Sequence, residues 1–287
     1  MRRHARFLFV LGLVFLCVIV TVLFFAQGLL HKHANVLRVV FFDIGQGDSI
    51  FIESPTGVQV LVDGGPDRTV LRTLSHELGF FDRSLDMVVA THEDKDHIGG
   101  LPEVFTHYQV GTFLRTENQG DSGAAHLIDS LSATKGIAIV YARRGMDFDL
   151  GGGATLSVLF PDRDPAGWEA NTSSIVARLT YGNSEFLLTG DSPKEIEKYL
   201  VSLDARGLES DVLKLGHHGS HTASSDEYLD VVHPLYAIVS AGKHNRYGHP
   251  HKDVVDRVVS KGITVLSTAD RGSIAFETDG TSLVLEK

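Results

Sequence analysis

Four side chains of the kind that bind metal ions lie within six residues, directly after a predicted buried strand. The apolar residues 85–91 (LDMVVAT) predict the strand. His92 and Asp94 follow it at alternate positions, so both can turn the same way and converge on one ion. Asp96 and His97 can then face a second ion beside the first. The sequence therefore predicts a metal centre where this strand ends.

Helix capping is an alternative role for the acidic residues of this segment. Asp94 or Asp96 could cap a helix that begins at Ile98, since aspartate is a preferred residue at helix N-termini. That interpretation accounts for one acid and for neither histidine. Metal binding is therefore the favoured interpretation.

The first thirty residues have the pattern of a membrane segment. Residues 7–25 form an apolar run of 19 residues, and such a helix spans about 28 Å, close to the hydrocarbon core of a bilayer. The preceding Arg2, Arg3 and Arg6 predict a cytoplasmic N-terminus. We expect residues 1–34 to be a single-pass signal anchor and a short tether in the cytoplasmic membrane, with the C-terminal domain on the extracytoplasmic side. A cleaved signal peptide is the alternative, although its apolar region usually has about 7–15 residues.

Residues 35–287 are predicted to form one domain of the α/β (α+β) class. Helical patterns alternate with strands in two successive β-rich halves, and no internal repeat or low-complexity tract interrupts them. The predicted helices are 69–78, 194–203, 226–232 and 253–262. The predicted strands are 37–45, 48–54, 58–65, 85–91, 155–160, 174–181, 184–191, 211–216, 236–241, 263–268, 273–278 and 282–286. This order indicates sheets packed together and covered by helices.

The charge balance argues against a protein that binds nucleic acid by bulk positive charge. The chain has 26 basic and 36 acidic residues and a formal net charge of −10. Because three arginines lie before residue 31, the remainder carries 23 basic and 36 acidic residues, a formal charge of −13. A local basic patch is compatible with this balance, and its candidates are Arg143, Arg144, Lys243 and Arg246. The single cysteine, Cys17, excludes a disulfide framework and a thiolate metal cluster.

The segment from His92 to His97 resembles the HxHxDH signature of the metallo-β-lactamase superfamily, with Asp94 where the second histidine usually stands. The similarity extends over nearly all of residues 38–287, in the order seen in ComEC-type DNA-uptake competence proteins. It is carried by residues 41–65, 91–100, 171–191, 211–220 and 245–251. The resemblance implies the αβ/βα four-layer sandwich of that superfamily. The large multi-helix channel of such competence proteins is missing, so the chain resembles their hydrolase domain alone on a single anchor.

The resemblance also implies a set of metal ligands: His92, Asp94, Asp96, His97, Asp191 and His217. Asp191 is expected to bridge two ions. Of the adjacent histidines 217 and 218, we favour His217 as the ligand and expect His218 to face the substrate or to support a ligand. His249 matches the last active-site motif of the family and could bind the leaving group, donate a proton or complete a metal shell. The catalytic candidates are Asp96, His218 and His249.

Five further residues are candidates for supporting the ligands or for binding substrate. Asp48 and Asp63 are expected to orient histidines, although a tight glycine turn alone would also explain the segment around Asp48. Asn171 takes the place where many members provide a third histidine, and capping of the following hairpin is its alternative role. Lys243 and Arg246 could stabilise phosphate oxygens.

The expected ligand set predicts the cofactor. It combines three carboxylates with three imidazoles, which makes it richer in oxygen than a three-histidine site. Such a set suits Mn²⁺, and Zn²⁺ is also plausible. Two divalent ions would hold a hydroxide for in-line attack on phosphorus.

The predicted function is that of a membrane-anchored, exported phosphodiesterase. We expect a ComEC-like nuclease that acts on DNA or another phosphodiester. A separate channel subunit is the expected partner. A first alternative is a metallo-hydrolase of a non-nucleic-acid ester, such as a phosphorylcholine or wall-polymer phosphodiester. A second is a non-catalytic metal-binding module for a membrane partner. The sequence does not predict an oligomeric state.

Overall fold

The computed structural model describes residues 9, 11–21, 35–79, 81–118 and 120–286. It divides into two compact units, residues 1–34 and 35–287. In the first unit, residues 11–21 are helical and their side chains are exposed. Within the described residues, no helix is both long enough and apolar enough to span a bilayer. The predicted membrane segment at 7–25 and its tether lie largely outside the described residues and stay predictions.

The second unit contains two β-sheets. Within its described residues, the first sheet has eight strands in the spatial order β15–β14–β1–β2–β3–β4–β5–β6. These strands are β1 (Leu37–Phe41), β2 (Ile50–Glu53), β3 (Gln59–Val62), β4 (Ser84–Val89), β5 (Gln109–Arg115), β6 (Ala138–Tyr141), β14 (Ile274–Thr278) and β15 (Leu283–Leu285). Strands β3 to β6 run parallel to one another, and the remaining pairs are antiparallel.

The second sheet has seven strands in the described part of the chain, in the order β13–β12–β11–β10–β9–β8–β7. They are β7 (Asp147–Gly151), β8 (Ala154–Phe160), β9 (Val176–Tyr181), β10 (Ser184–Leu188), β11 (Val212–Lys214), β12 (Tyr236–Val239) and β13 (Thr264–Ser267). Strands β10 to β13 are parallel, as are β3 to β6 in the first sheet. Each half therefore combines an antiparallel part with a parallel part.

Helices cover the outer face of each sheet. The first sheet carries α1 (Thr69–Glu77), α2 (Lys95–Ile98), α3 (Leu101–His107) and α4 (Gly123–Lys135), which share one apolar cluster with it. The second carries α5 (Lys194–Asp204), α6 (Asp226–Val232) and α7 (Lys252–Ser260) around another cluster. A short helix, α8 (Thr268–Arg271), follows β13. A third cluster, drawn from both sheets, fills the space between them. The result is the expected sandwich of helices, sheet, sheet and helices.

The direction of the strands determines where the functional side chains lie. Parallel strands end at the same edge of a sheet, and ligand-binding residues of open α/β sheets commonly follow those carboxyl ends. Asp63 follows β3 and His92 follows β4 in the first sheet. In the second sheet, Asp191 follows β10 and His217 follows β11. Each sheet therefore contributes polar residues from the carboxyl ends of adjacent strands.

Most of the predicted elements are confirmed, with shorter ends. The helix predicted at 226–232 has those bounds, and the one predicted at 253–262 is α7, which starts one residue earlier and ends at Ser260. The predicted elements do not include β5, β6, β7 or the helices α2, α3, α4 and α8. The side chains of β6 are mostly exposed, so that strand lacks the apolar alternation on which a prediction depends.

Phe276 provides a test of how the two sheets are held together. It is fully buried in β14, and its ring lies 6.0 Å from that of Phe186 and 5.3 Å from that of Tyr236, both in the second sheet. We expect Phe276→Ala to lower the free energy of unfolding by about 3–5 kcal/mol, because it leaves a cavity between the sheets. Urea unfolding of residues 35–287 measures this change. The matched control, Val284→Ala at an exposed position of β15, should change it by less than about 0.5 kcal/mol. Equal effects of the two substitutions would contradict this account of the core.

Candidate metal centre

The loop after β4 brings two histidines into the interior of the domain. The rings of His92 and His97 are buried, and their centroids lie 4.0 Å apart. Asp94 is the residue before helix α2, but its side chain makes no capping hydrogen bond. Its Oδ2 lies 3.7 Å from His92 Nε2 instead. The structure gives no support to a capping role for Asp94.

A glycine allows the loop after β1 to pack against this segment. Gly47 has a φ of 125°, and a Cβ at this position would lie 2.1 Å from the carbonyl oxygen of Asp96. The next residue, Asp48, donates its backbone N–H to the same carbonyl over 3.1 Å. The glycine turn therefore fixes the backbone of Asp96 and at the same time brings the Asp48 side chain to the site.

The second half of the domain supplies the central carboxylate. Asp191 is buried, and its backbone N–H donates to Ser174 Oγ over 3.2 Å. Beside it, the N–H of Ile175 donates to the carbonyl oxygen of Thr91 over 2.9 Å. This backbone hydrogen bond joins the two halves of the domain directly next to His92.

Imidazoles surround the Asp191 carboxylate. Its Oδ1 lies 3.3 Å from His97 Nε2. Its Oδ2 lies 3.4 Å from His218 Nε2, 3.8 Å from His217 Nε2 and 3.9 Å from His92 Nε2. The last two distances are too long for hydrogen bonds. Atoms that bind one ion at about 2.0–2.2 Å are separated by roughly 3–4 Å, which is the spacing of these groups.

The adjacent histidines after β11 have different environments. Both have left-handed backbones, with φ of 49° at His217 and 55° at His218, and their rings are inclined at 73°. His218 is buried, and its Nε2 lies 3.3 Å from Asp96 Oδ2. His217 is partly exposed, and its Nδ1 lies 3.1 Å from Thr222 Oγ1. Both histidines therefore direct an Nε2 atom towards Asp191, His218 from a buried position and His217 from a partly exposed one.

Asp63 orients one of the buried histidines. Its Oδ2 lies 2.8 Å from His97 Nδ1 and accepts a 2.7 Å hydrogen bond from the hydroxyl of Thr91. The other oxygen, Oδ1, accepts from the backbone N–H of Thr91 over 2.8 Å. Since Nδ1 of His97 faces Asp63, its Nε2 is directed towards Asp191. Asp63 thus has the supporting position expected for it.

A buried lysine that the sequence analysis did not select supports the other side of the site. Lys214 is fully buried in β11, and its Nζ lies 2.7 Å from Asp48 Oδ2 and donates to the carbonyl oxygen of Leu215 over 3.0 Å. The second oxygen of Asp48 lies 3.3 Å from His218 Nδ1, within ion-pair distance but without hydrogen-bond alignment. Lys214 therefore holds the carboxylate that faces His218.

The charged groups of the cluster shift one another's pKa values. Burial raises the pKa of Asp191, but the positive charges of His218 and His97 outweigh burial and hold the pKa well below its usual range. Burial lowers the pKa values of the two histidines, yet Asp191, with Asp63 beside His97 and Asp48 beside His218, keeps both well above the ordinary value. Asp191 is thus held in the ionised form that binds metal ions.

Several polar atoms of the cluster have no hydrogen-bond partner among the described residues, although they are buried. They include His92 Nε2, His97 Nε2, His218 Nε2 and Asp191 Oδ1. A buried polar group left unpaired costs about 1–3 kcal/mol, so the convergence of several at one point indicates a cation. Donor atoms of Asp48, His97, Asp191 and His218 also lie within 4.8 Å of one another. The residues present fit a divalent metal ion.

Asn171 begins a 3-10 turn, Asn171–Ser173, at the edge of the site. Its side-chain Oδ1 is buried without a hydrogen-bond partner among the residues that the structure describes. The residue lines a cavity of about 530 Å³ together with His217, Lys194 and His221. Asn171 is therefore placed beside the histidine that is partly exposed, with a free amide oxygen.

His249 lies against both histidines of β11. Its ring centroid is 5.4 Å from that of His217 and 6.1 Å from that of His218. Burial, with the positive charge of His218 and then that of His217, lowers the pKa of His249 to about 4. A neutral imidazole is therefore expected at this position near pH 7.

The four candidates for a basic patch divide into two pairs. Lys243 and Arg246 are exposed in the loop after β12, and the pKa of Arg246 is raised by its hydrogen bond to Tyr247 and further by the charge of Asp96. Arg143 is ion-paired with Glu117, and Arg144 lies 3.7 Å from Asp204. The structure therefore places Arg246 within the electrostatic reach of a candidate ligand and pairs Arg143 and Arg144 with acids.

The sequence matches the family model of the metallo-β-lactamase superfamily over residues 42–244. The chain belongs to this superfamily. The matched region includes all six expected ligands and also His218.

Curated relatives include ComEC-type competence proteins, as the sequence analysis expected. ComE operon protein 3 of Bacillus subtilis is 31% identical over an alignment that covers 83% of this chain and 33% of that protein. Competence protein ComA of Neisseria gonorrhoeae is 31% identical, with 84% and 32% covered. Recombination protein 2 of Haemophilus influenzae is 29% identical, with 92% and 31% covered. The chain spans about a third of the length of these relatives.

Solved structures with low sequence identity share the fold. A metallo-hydrolase from the archaeon Ignicoccus hospitalis has a TM-score of 0.54 and 16% identity, over 88% of this chain and 99% of that chain. The diiron β-hydroxylase CmlA from Streptomyces venezuelae has a TM-score of 0.53 and 16% identity, over 80% and 52%. These likenesses support the fold alone.

Metal binding by the two adjacent histidines can be compared directly. We expect Mn²⁺ at a hundred times its dissociation constant to raise the free energy of unfolding of residues 35–287 by about 2.7 kcal/mol. His218→Ala should remove most of this stabilisation, because His218 Nε2 lies between Asp96 and Asp191. His217→Ala should retain most of it. Thermal melts with and without metal give the measurement, and an equal loss in both variants would contradict the placement of His218.

Lys214 should affect metal affinity although it is not a ligand. We expect Lys214→Met to weaken metal binding by about 10–100-fold, because Asp48 loses the charge that holds it beside His218. Breaking the buried pair should also lower the free energy of unfolding by about 3–5 kcal/mol. Calorimetric metal titration, performed where each variant is folded, checks the affinity. Lys198→Met, at an exposed position of α5, is the control and should match the parent protein. Unchanged affinity in Lys214→Met would show that the pair serves folding alone.

Proposed function

We propose that this chain is a membrane-anchored, exported phosphodiesterase that depends on two divalent metal ions and hydrolyses DNA. The observation that carries the proposal is the central position of Asp191 between two groups of candidate ligands. His92 lies near Asp94 in one group, His218 lies near Asp96 in the other, and His97 faces the second oxygen of Asp191. One carboxylate shared by two such groups is the arrangement expected of a dinuclear site.

The kind of ligand supports a choice of metal. Three carboxylates, those of Asp94, Asp96 and Asp191, accompany three buried imidazoles. Oxygen-rich sites favour Mn²⁺, whereas Zn²⁺ is typically bound by sulfur and nitrogen ligands. We therefore propose Mn²⁺ as the working metal, with Zn²⁺ as the alternative. When bound, such ions activate water and polarise a phosphoryl oxygen.

The residues around the ligands have roles that suit a phosphodiester. His218 and His97 are held in position by Asp48 and Asp63, so the ligand geometry is set before substrate arrives. His249, a neutral imidazole next to His217 and His218, is placed to bind the departing oxygen. These side chains would position the ester and its leaving group.

The exposed cations would neutralise phosphate charge. Lys243 and Arg246 lie on the loop that also carries His249, while the chain as a whole is acidic. A local pair of cations beside the metal centre permits nucleic-acid binding in a protein that lacks a general positive surface.

Membrane association and a separate channel subunit are also part of the proposal. The curated relatives are competence proteins, and the chain covers about a third of their length. The basic residues at the N-terminus and the apolar run at 7–25 favour an anchored domain outside the cytoplasmic membrane. The partner that we propose for DNA transport is a separate subunit that forms a channel.

A smaller phosphodiester is a second candidate substrate. Asn171 and Lys194 line the cavity of about 530 Å³ together with His217. A compact head group, such as that of a phosphorylcholine or wall-polymer ester, would fit such a space. This candidate differs from the first in the length of the substrate rather than in the chemistry of hydrolysis.

Hydrolysis by residues 35–287 tests the proposal. We expect protein stripped with chelator and resupplied with Mn²⁺ to cleave bis-p-nitrophenyl phosphate and labelled single-stranded DNA. Asp191→Ala and His97→Ala should abolish cleavage of both, because each removes a ligand from the cluster. Asp256→Ala, at an exposed acid of α7, should leave the rates unchanged. Parallel assays with Zn²⁺ and Mg²⁺ identify the working metal.

Each other outcome of this assay supports a different function. Cleavage of the small diester alone would favour the wall-polymer or small-molecule phosphodiesterase. Metal binding without turnover of any ester would favour a non-catalytic module for a membrane partner. Unchanged turnover in both ligand variants would overturn the proposed metal centre.

A further inference from the structure

An exposed aromatic ring lies next to the metal centre. Tyr247 is 51% exposed, and its ring stacks on that of His249 with centroids 5.6 Å apart and planes inclined at only 20°. The guanidinium of Arg246 lies 4.9 Å from the centroid of the Tyr247 ring and donates to its hydroxyl over 2.7 Å. We call Arg246, Tyr247 and His249 the aromatic ladder.

The aromatic ladder extends from the solvent-exposed Tyr247 to the candidate metal ligands. The ring of His249, stacked against Tyr247 on one side, contacts those of His217 and His218 on the other, at 5.4 and 6.1 Å. His218 in turn faces Asp96 and Asp191. The exposed ring is therefore separated from the candidate metal ligands by a single imidazole.

Hydrogen bonds of the Asn245 side chain stabilise the loop that carries the aromatic ladder. Asn245 Oδ1 accepts the backbone N–H groups of Tyr247 and His249, over 3.1 and 2.9 Å. The amide nitrogen of Asn245 donates to the carbonyl oxygens of Gly242 and His249, over 2.8 and 2.6 Å. An exposed aromatic residue normally gains little by being held in place. A ring that is fixed before a partner arrives loses less entropy on binding.

The charge of the loop is opposite to that of the chain. Lys243 and Arg246 are exposed, and among the described residues no carboxylate lies within ion-pair distance of either. The chain carries a net charge of −10, so two exposed cations on the loop that carries Tyr247 form a local exception. Aromatic rings combined with cations along a backbone path are the features with which proteins bind single-stranded nucleic acid.

We propose that Tyr247 is a stacking platform for an unpaired nucleobase, while Lys243 and Arg246 contact the phosphates on either side of it. This inference rests on the proposed function and names its substrate class as single-stranded polynucleotide. A base inside a duplex is stacked on its neighbours and has no free face for Tyr247, so the interior of a duplex is a poor substrate for this platform. The small diester bis-p-nitrophenyl phosphate reaches the metal centre without it.

Binding of oligonucleotides by the full chain in detergent micelles tests the platform without turnover. The probes are a fluorescent single-stranded oligothymidylate, an abasic strand of the same length and charge, and the corresponding duplex, all in chelator. We expect the intact strand to bind about tenfold more tightly than the abasic strand, and Tyr247→Ala to remove this difference. Tyr247→Trp, which keeps a large ring, should retain it. The matched control is Phe81→Ala, which should behave as the parent protein. Phe81 is an exposed aromatic residue that precedes the N-terminal end of β4, whereas the metal centre follows its C-terminal end.

Cleavage provides the second measurement. With Mn²⁺, Tyr247→Ala should raise the KM for the intact strand about tenfold relative to the KM for bis-p-nitrophenyl phosphate, with similar changes in kcat for both. Equal affinity for intact and abasic strands, or an equal loss of both activities in Tyr247→Ala, would overturn the platform while leaving the phosphodiesterase in place. A parent protein that binds the intact strand selectively but cleaves no ester would support the platform and overturn the proposed function instead.

Discussion

The arrangement of the site depends on the burial of one carboxylate, that of Asp191. A buried carboxylate is costly unless positive charge or a cation accompanies it. The two sheets meet this requirement by directing histidines towards it from both halves of the domain. The backbone hydrogen bond between Ile175 and Thr91 holds those halves together at the same place. The packing of the sandwich and the geometry of the site are therefore set by the same contacts.

A second layer of charge keeps the histidines pointing inwards. Asp63 contacts His97, and Asp48 faces His218 on the opposite side. The two carboxylates are themselves held differently. Asp63 accepts hydrogen bonds from Thr91, whereas Asp48 is neutralised by the buried Lys214. Because every one of these groups is buried, each depends on a partner from another strand, and none of them is free to rotate into solvent.

Much of this arrangement could be predicted from sequence. The spacing from His92 to His97 after an apolar strand indicated a metal centre, and the resemblance to the superfamily indicated roles for Asp63 and Asp191. The different burial of His217 and His218 could not be predicted, because it follows from two left-handed backbone conformations that an adjacent pair of histidines does not reveal. Lys214 was missed for a different reason. Lysine is usually exposed, and only the three-dimensional structure shows that both faces of β11 are covered.

The contrast between the buried and the exposed sides of the cluster has a consequence for how such a protein can diversify. Substitutions at Asp48, Lys214 or Asp63 would leave a buried charge without its partner, so these positions tolerate few other amino acids. The loop from Gly242 to His249 faces solvent and is braced mainly by its own Asn245. New side chains on that loop could change which molecules bind there, while the buried cluster around Asp191 stays as it is. Substrate preference and metal chemistry can therefore evolve at separate speeds within a single domain.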